Sequence, residues 1–346
     1  MKKLFSLFLS CVLVLSISPS GMALDNLATI DSTRVSSITN NAVAFLVAAN
    51  CGNTPEEPIP MYNLNEEIEV LYFPLLPDGY LIASYKDGHI IEFSSSGSVI
   101  SVENISEKFY YNGIMEYYKR VDDTKLLQLL TNDIIAQDYL VAASGSPFLA
   151  NMPSRNYNAP IVAYGVDPNN PTPINSLSTS STYACVITAV TNLLQYYHDF
   201  KGADVYAENI SSARSLRQYL KNDNYVKSQG PEQFDWVAIK HAYDGVHYLG
   251  LNAYFNRTDV DTYTINTPKL SANDIKTQLR YSRPVLLDIY TNVISPGRTD
   301  RHAVMAYTYW ETANTTYLIC DNTWGNTGVH ICTDDLDATT RVLYLS

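Results

Sequence analysis

Cys185, His302, Asp321 and Asn322 are the residues of this chain whose types and surroundings permit acyl-transfer chemistry. Cys185 stands in Thr182-Tyr-Ala-Cys-Val-Ile-Thr-Ala-Val-Thr-Asn-Leu-Leu-Gln-Tyr-Tyr197, where Val186, Ala189, Val190, Leu193, Leu194 and Tyr197 recur on one helical face. The cysteine falls in the first turn, with Ser181 and Thr182 available as caps, and the unpaired N–H groups there favour a thiolate. The same segment also suits a small cysteine packed at a helix end, so alone it leaves both readings open. His302 opens the apolar run His302-Ala-Val-Met-Ala-Tyr-Thr-Tyr309 after the flexible Ser295-Pro-Gly-Arg-Thr-Asp300, a position unsuited to core filling. A thiol nucleophile needs an imidazole to carry its proton, and the imidazole needs a carboxylate or amide to fix its tautomer. Thr316-Tyr-Leu-Ile-Cys320 supplies a further strand that ends in Asp321-Asn322-Thr323-Trp324-Gly325. Asp321 and Asn322 are adjacent, so they point to opposite faces of that strand and only one can meet the histidine.

The order Cys185, His302 and then Asn322-Thr-Trp-Gly325 resembles that of the papain-fold cysteine peptidases. In that family an Asn heading an Asn-Ser-Trp-Gly run orients the histidine, and the Trp, here Trp324, shields the contact from water. Cys185-Val-Ile-Thr-Ala189 with Leu194-Gln-Tyr-Tyr197 is more similar to the streptopain-like secreted bacterial peptidases, whose propeptides also resemble the hairpin around Gly79-Tyr-Leu-Ile-Ala-Ser84. Relatives that process bacteriocin leaders use an Asp at the end of the equivalent strand, which would select Asp321 in place of Asn322. One departure concerns the oxyanion. The family usually carries a Gln shortly before the nucleophile, an amide typically worth ~3 kcal/mol or more. No Gln stands close before Cys185, which leaves Asn175, ten residues upstream, and Gln233 as candidate donors.

The elements that must position these residues follow from period and punctuation. Val35, Ile38, Ala42, Phe45, Leu46 and Ala49 recur as in an amphipathic helix ending before Gly52. Glu69–Phe73, Gly79–Ser84 and His89–Phe93 read as an antiparallel meander broken at Pro74–Asp78 and Asp87-Gly88. Thr124–Ile135, with Leu126, Leu127, Leu129 and Leu130, reads as a second helix. The small, polar Ala142-Ala-Ser-Gly-Ser-Pro147 is the best domain boundary. The Asn/Pro-rich stretch from Asn151 to Ser181 suits neither a helix nor a sheet interior. The nucleophile helix, weaker helices to about Gly250 and a strand-rich C-terminal third come next. The expectation is an α+β fold: a papain-like catalytic domain over 146–346, with a helical part and an antiparallel β part, preceded by a small α/β propeptide domain over 24–145.

Residues 1–23 read as a cleaved signal peptide, because Lys2-Lys3 precede an apolar run from Leu4 to Ile17 and Gly21 and Ala23 are small. That run is shorter than the roughly 20 residues of a spanning helix, and Cys11 lies badly for lipid attachment, so a secreted, unanchored protein is expected. The remaining chain of about 320 residues is ample for two domains. Apolar content of 46% with 17% charged residues suits a globular chain. A net charge of -12 without a basic stripe argues against a nucleic-acid partner. The 27 tyrosines favour half-buried strands. Cys320 and Cys332 flank a short turn and are candidates to bridge, yet an unpaired Cys185 would leave an odd cysteine. His330 and Cys332 near Cys320 and Asp321 can be drawn as a zinc site, but without a Cys-x-x-Cys pair no metal is expected, and no cofactor. His198 suits the last turn of the nucleophile helix, while His241, His247, Asp235 and Trp236 read as structural.

The function implied is that of a cysteine endopeptidase made as a zymogen, acting on protein or peptide substrates and held inactive by its own propeptide. Two other readings keep the fold. One is a catalytically decayed binding or inhibitory protein, which the missing upstream Gln permits. The other is a thiol amidase acting on cell-wall peptides.

Overall fold

Among the described residues, strands join into one 16-stranded, mostly antiparallel sheet accompanied by four helices, a mixed α+β architecture. The computed structural model describes residues 30–100, 107–130, 132, 134–137, 163–164, 185–222, 254–255, 260–266, 268, 271–295, 298–311, 315–324, 328–336 and 340–346. The signal-peptide reading, Asn175, Gln233, Gly325, Asp235, Trp236, His241 and His247 therefore lie outside the described residues, as does the boundary at 142–147.

In chain order the elements are α1 (Ser32–Ala48), β1 (Thr54–Pro55), β2 (Ile59–Tyr62), β3 (Ile68–Leu76), β4 (Tyr80–Ser84), β5 (Ile90–Ser94), β6 (Phe109–Gly113), β7 (Glu116–Asp122), β8 (Lys125–Gln128), β9 (Ile134–Ala136) and β10 (Ala163–Tyr164). The second half adds α2 (Cys185–Lys201), α3 (Ala213–Asn222), β11 (Ile265–Asn266), α4 (Ala272–Arg280), β12 (Val285–Ser295), β13 (Arg298–Glu311), β14 (Thr316–Asp321), β15 (Val329–Cys332), a 3-10 turn (Thr333–Asp335) and β16 (Arg341–Leu345). Along the sheet the strands run β11-β16-β12-β13-β14-β15-β5-β4-β3-β2-β6-β7-β8-β9. Among the described residues only the β2–β6 pairing is parallel.

Helix α1 forms where the periodicity places it. Asp31 caps it by accepting from the N–H groups of Thr33 (2.9 Å) and Arg34 (3.2 Å), and Ile38, Ala42, Phe45 and Leu46 are buried. The meander also matches, as β3, β4 and β5. Gly79 is required at its first turn: φ is +105°, and a Cβ there would lie 2.4 Å from the Ser94 carbonyl oxygen. The expected helix over Thr124–Ile135 is instead the β8 and β9 strands. Asp122 accepts from both the N–H and the hydroxyl of Thr124, each at 2.8 Å, and this Asx turn reverses β7 into β8. Two residues of the Asn/Pro-rich stretch also pair after all, as β10 against Glu311 and Trp310 of β13.

Helix α2 packs against β13 and β12, and it is buried nearly all round. One apolar cluster joins Cys185, Val190, Leu193 and Leu194 of α2 to Leu286, Ala303 and Met305 of the sheet. The opposite face carries Val285, Leu287, Val304 and Ala306 under Ile275 and Leu279 of α4, together with Tyr72, Tyr80 and Ile82 from the N-terminal half. No helix among the described residues is long and apolar enough to cross a membrane.

Candidate active site

Cys185 is the first residue of α2 and 3% exposed, and no acidic residue shares its turn. The N-terminal field of a 17-residue helix is therefore unopposed by carboxylates of its own first turn. Three other thiols are described. Cys320 is fully buried, and burial together with the charge of Asp321 pushes its thiol well above the ordinary value. Cys332 is buried in the cluster of Trp310 and Tyr317, and Cys51 is half-buried and donates to Asn53 Oδ1 at 2.8 Å. The bridge envisaged between Cys320 and Cys332 is not made: Cys320 stands opposite Val329, Cys332 stands opposite Tyr317, and the two lie in different apolar clusters. Among the described residues no group of three or more His, Cys, Asp or Glu is placed to hold a metal ion.

His302 sits in β13 opposite Ile289, one residue before Ala303, which shares the apolar cluster of Cys185. It is 2% exposed. Its Nε2 lies 2.8 Å from the main-chain oxygen of Asn322, and because a carbonyl only accepts, Nε2 carries the proton. Nδ1 is then the basic atom, and it is buried without a hydrogen-bond partner among the described residues. No hydrogen bond joins it to the Cys185 thiol in this state. The Trp324 ring lies flat on the imidazole, with centroids 3.6 Å apart and planes 16° apart. Burial outweighs the carbonyl contact and pulls the imidazole pKa down to about 3.

The strand end that holds this ring is itself held from α2. Asn192 donates to Asp321 Oδ2 at 2.7 Å, and the Thr323 N–H donates to Asp321 Oδ1 at 2.8 Å. Asp321 thus faces the Cys185 helix, while Asn322, one residue past the end of β14, presents its main-chain carbonyl to His302. The Asn322 side chain accepts from the Trp324 N–H at 2.9 Å. Thr323 has φ +61°, a conformation that strains a β-branched residue. Sequence reasoning selected Asn322 for its amide, and the group that meets the histidine is its main chain. It also passed over Asn192, a buried polar residue of a helix that is buried nearly all round. His198 lies in the last turn of α2 as expected, bonded to Asp199 at 2.8 Å and stacked on Tyr206.

These contacts rank two substitutions. Asp321→Ala removes two hydrogen bonds to a buried carboxylate and is expected to cost about 2 to 4 kcal/mol, whereas Asn322→Ala, which leaves the carbonyl in place, costs about 1 kcal/mol. Urea denaturation of the two variants checks this, and a larger loss for Asn322→Ala would reverse the assignment of roles.

No family model matches the chain, and no curated protein does. Among solved structures, a fragment of Prevotella intermedia prointerpain A superposes with a TM-score of 0.36 at 12% identity, covering 85% of this chain and 98% of that one. A likeness of that size carries no argument here.

Proposed function

We propose that this chain is a secreted cysteine endopeptidase made as a latent precursor, with residues 1–23 as its signal peptide, 24–145 as its proregion and 146–346 as its papain-like peptidase part. The observation that carries the reading is the state of His302. Its Nε2–H is tied to the Asn322 carbonyl, its ring is covered by Trp324, and its Nδ1 lone pair is left without a partner on the strand against which the Cys185 helix packs. That is the set of constraints a general base needs: fixed tautomer, fixed plane, one basic atom in reserve.

In the proposed reaction the Cys185 sulfur, giving its proton to His302 Nδ1, adds to a peptide carbonyl. The oxyanion is met by the Cys185 N–H at the head of α2, with Asn175 or Gln233 as the candidate second donor. The tetrahedral adduct collapses to a thioester as the imidazolium returns its proton to the leaving amine. Water then attacks the thioester with His302 as base, releasing the acid and the thiol. No cofactor or metal enters these steps.

A pKa of about 3 opposes protonation of His302 in the intact chain, where Cys185 is itself buried. The proposed precursor is therefore latent, and activation must let water or substrate reach Nδ1. Iodoacetamide labelling at neutral pH tests this. Cys185 is expected to react slowly in the intact chain and much faster than Cys51 once the chain has been processed and hydrolyses casein. Equal rates at the two cysteines in processed protein would leave Cys185 a packing residue, and the chain a binding protein.

A further inference from the structure

The two halves of the chain are not packed like a releasable pair. Strand β5 hydrogen-bonds to β15, with Ser94, Phe93 and Glu92 opposite Val329, His330 and Ile331, so one sheet runs through the junction. Two apolar clusters are shared. In one, Phe45 and Leu46 of α1 and Phe73 of β3 close over Trp310, Tyr317 and Cys332. The Phe45 ring lies 5.3 Å from that of Trp310 and 5.2 Å from that of Tyr317, and the Tyr317 hydroxyl donates to the Ile90 carbonyl at 3.2 Å. In the other, Tyr72, Tyr80 and Ile82 meet Leu318, Val329 and Ile331. Just before β5 and just after β15, His89 reaches Asp335 at 3.0 Å. The cluster around Cys185, by contrast, contains among the described residues only those from 185 onward.

Removing residues 30–137 would therefore leave β15 paired with β14 alone, turn it into an open sheet edge, and bare Trp310 and Tyr317, both at most 3% exposed. Interfaces built to separate are more polar than this, whereas permanent ones resemble a domain core cut in two. We infer that the N-terminal half stays bound after the linker is cut, as a permanent non-covalent subunit of the mature protein. Cutting, not departure, is then the event that changes the molecule. The inference goes beyond the peptidase reading, since it rests on apolar burial and sheet pairing and not on the chemistry of Cys185.

Arg155 is the only Lys or Arg between Lys125 and Lys201, which makes it the trypsin site of the linker. The test uses the Cys185→Ala chain, so that no cut can be its own. After limited trypsin treatment, a denaturing gel confirms two fragments, and size-exclusion chromatography with light scattering in 1 M NaCl reads the native mass. The expected result is one species with the mass of the uncut chain. Separate fragments, or material in the void volume from bared apolar faces, would overturn the inference. If trypsin also cuts elsewhere, a site-specific protease sequence inserted beside Arg155 gives the same readout. Loss of casein hydrolysis in the parent chain would sink the peptidase reading and leave this result untouched.

Discussion

Cys185→Ala is expected to abolish hydrolysis of a protein substrate, with kcat falling by about 10⁴ to 10⁶, and His302→Gln to fall nearly as far. The two losses should not add. The thiol without its base is a weak nucleophile and the base without its thiol has nothing to deprotonate, so the double variant matches the worse single one. At 1.36 kcal/mol per decade, a loss of 10⁴ is about 5.4 kcal/mol of transition-state stabilisation, well above what any packing change beside the site supplies. KM should move little, because both groups act on the reacting bond in the transition state and contribute little to binding the substrate in its ground state. Gln at 302 keeps a donor for the Asn322 carbonyl while removing the base, and Ala at 185 replaces a small buried side chain by another. Both variants are therefore expected to melt within about 1 kcal/mol of the parent, which separates a chemical loss from an unfolded protein. Asn322→Ala is the internal contrast. If the amide oriented the imidazole, its removal would cost orders of magnitude. With the main-chain carbonyl in that place, casein hydrolysis should fall by no more than about tenfold. A collapse of Asn322→Ala to the level of Cys185→Ala would return the role to the side chain.

How far the sequence carries this argument differs from residue to residue. The Cys185 helix, the strand that ends in Asp321 and the meander were legible, because apolar period and Gly or Asp punctuation report local structure directly, whereas His302 does not open a strand after a loop: β13 begins at Arg298, paired with Ser295, and the histidine lies inside it. Trp324 on His302 was legible through a motif. The Asn322 carbonyl was not: every residue has one, and which carbonyl faces a ring depends on the turn, here a strained Thr323 that no propensity scale favours. The Leu-rich stretch 124–135 was misread because Leu at close spacing satisfies helix and buried strand alike, and Asp122 bonds Thr124 in the manner of either a helix cap or a hairpin turn. The junction lay furthest from view. Strand β5 meets β15, and His89 meets Asp335, across most of the chain, and a single sequence holds no record of which distant strands pair.

That junction supplies the largest expected effect on stability. His89 is 1% exposed and held between two carboxylates, Nδ1 to Asp87 at 2.6 Å and Nε2 to Asp335 at 3.0 Å, so both nitrogens carry protons and the ring is a cation. Burial opposes that charge, but the hydrogen bonds and charges of Asp335 and Asp87 outweigh it and raise the pKa to about 9. Burial likewise opposes the Asp87 carboxylate, and the bond and charge of His89 bring it down to about 2. His89→Leu leaves two carboxylates facing an apolar side chain and is expected to cost about 3 to 5 kcal/mol. The double variant His89→Leu with Asp335→Leu should regain at least half of that loss, since a whole buried pair replaced by apolar groups is often neutral. If it regains nothing, packing and not the ion clamp holds the junction.

The pH dependence gives a second readout with a definite sign. His89 is raised above its unfolded value of 6.5, so its contribution is complete below pH 6.5 and is lost as pH rises through 9, a change of about 3 kcal/mol. Glu92 acts in the same direction: burial pushes its carboxyl from 4.5 up to about 8, so its ionisation weakens the folded state as pH climbs towards 8. On the acid side the order reverses. His302 is buried and His330 half-buried, with pKa values lowered by desolvation to about 3 and about 4, so their contributions are present above pH 6.5 and lost as pH falls. Asp87 follows, its contribution present above 3.8 and lost as pH drops through 2. Urea midpoints taken from pH 4 to 9.5 are therefore expected to peak near pH 6 to 7 and to fall on both sides. In His89→Leu the fall between 6.5 and 9 should shrink to the part that Glu92 supplies, which ends near pH 8, while the acid side keeps its shape. An alkaline fall in His89→Leu equal to that of the parent would remove the clamp from the account of why the two halves hold together.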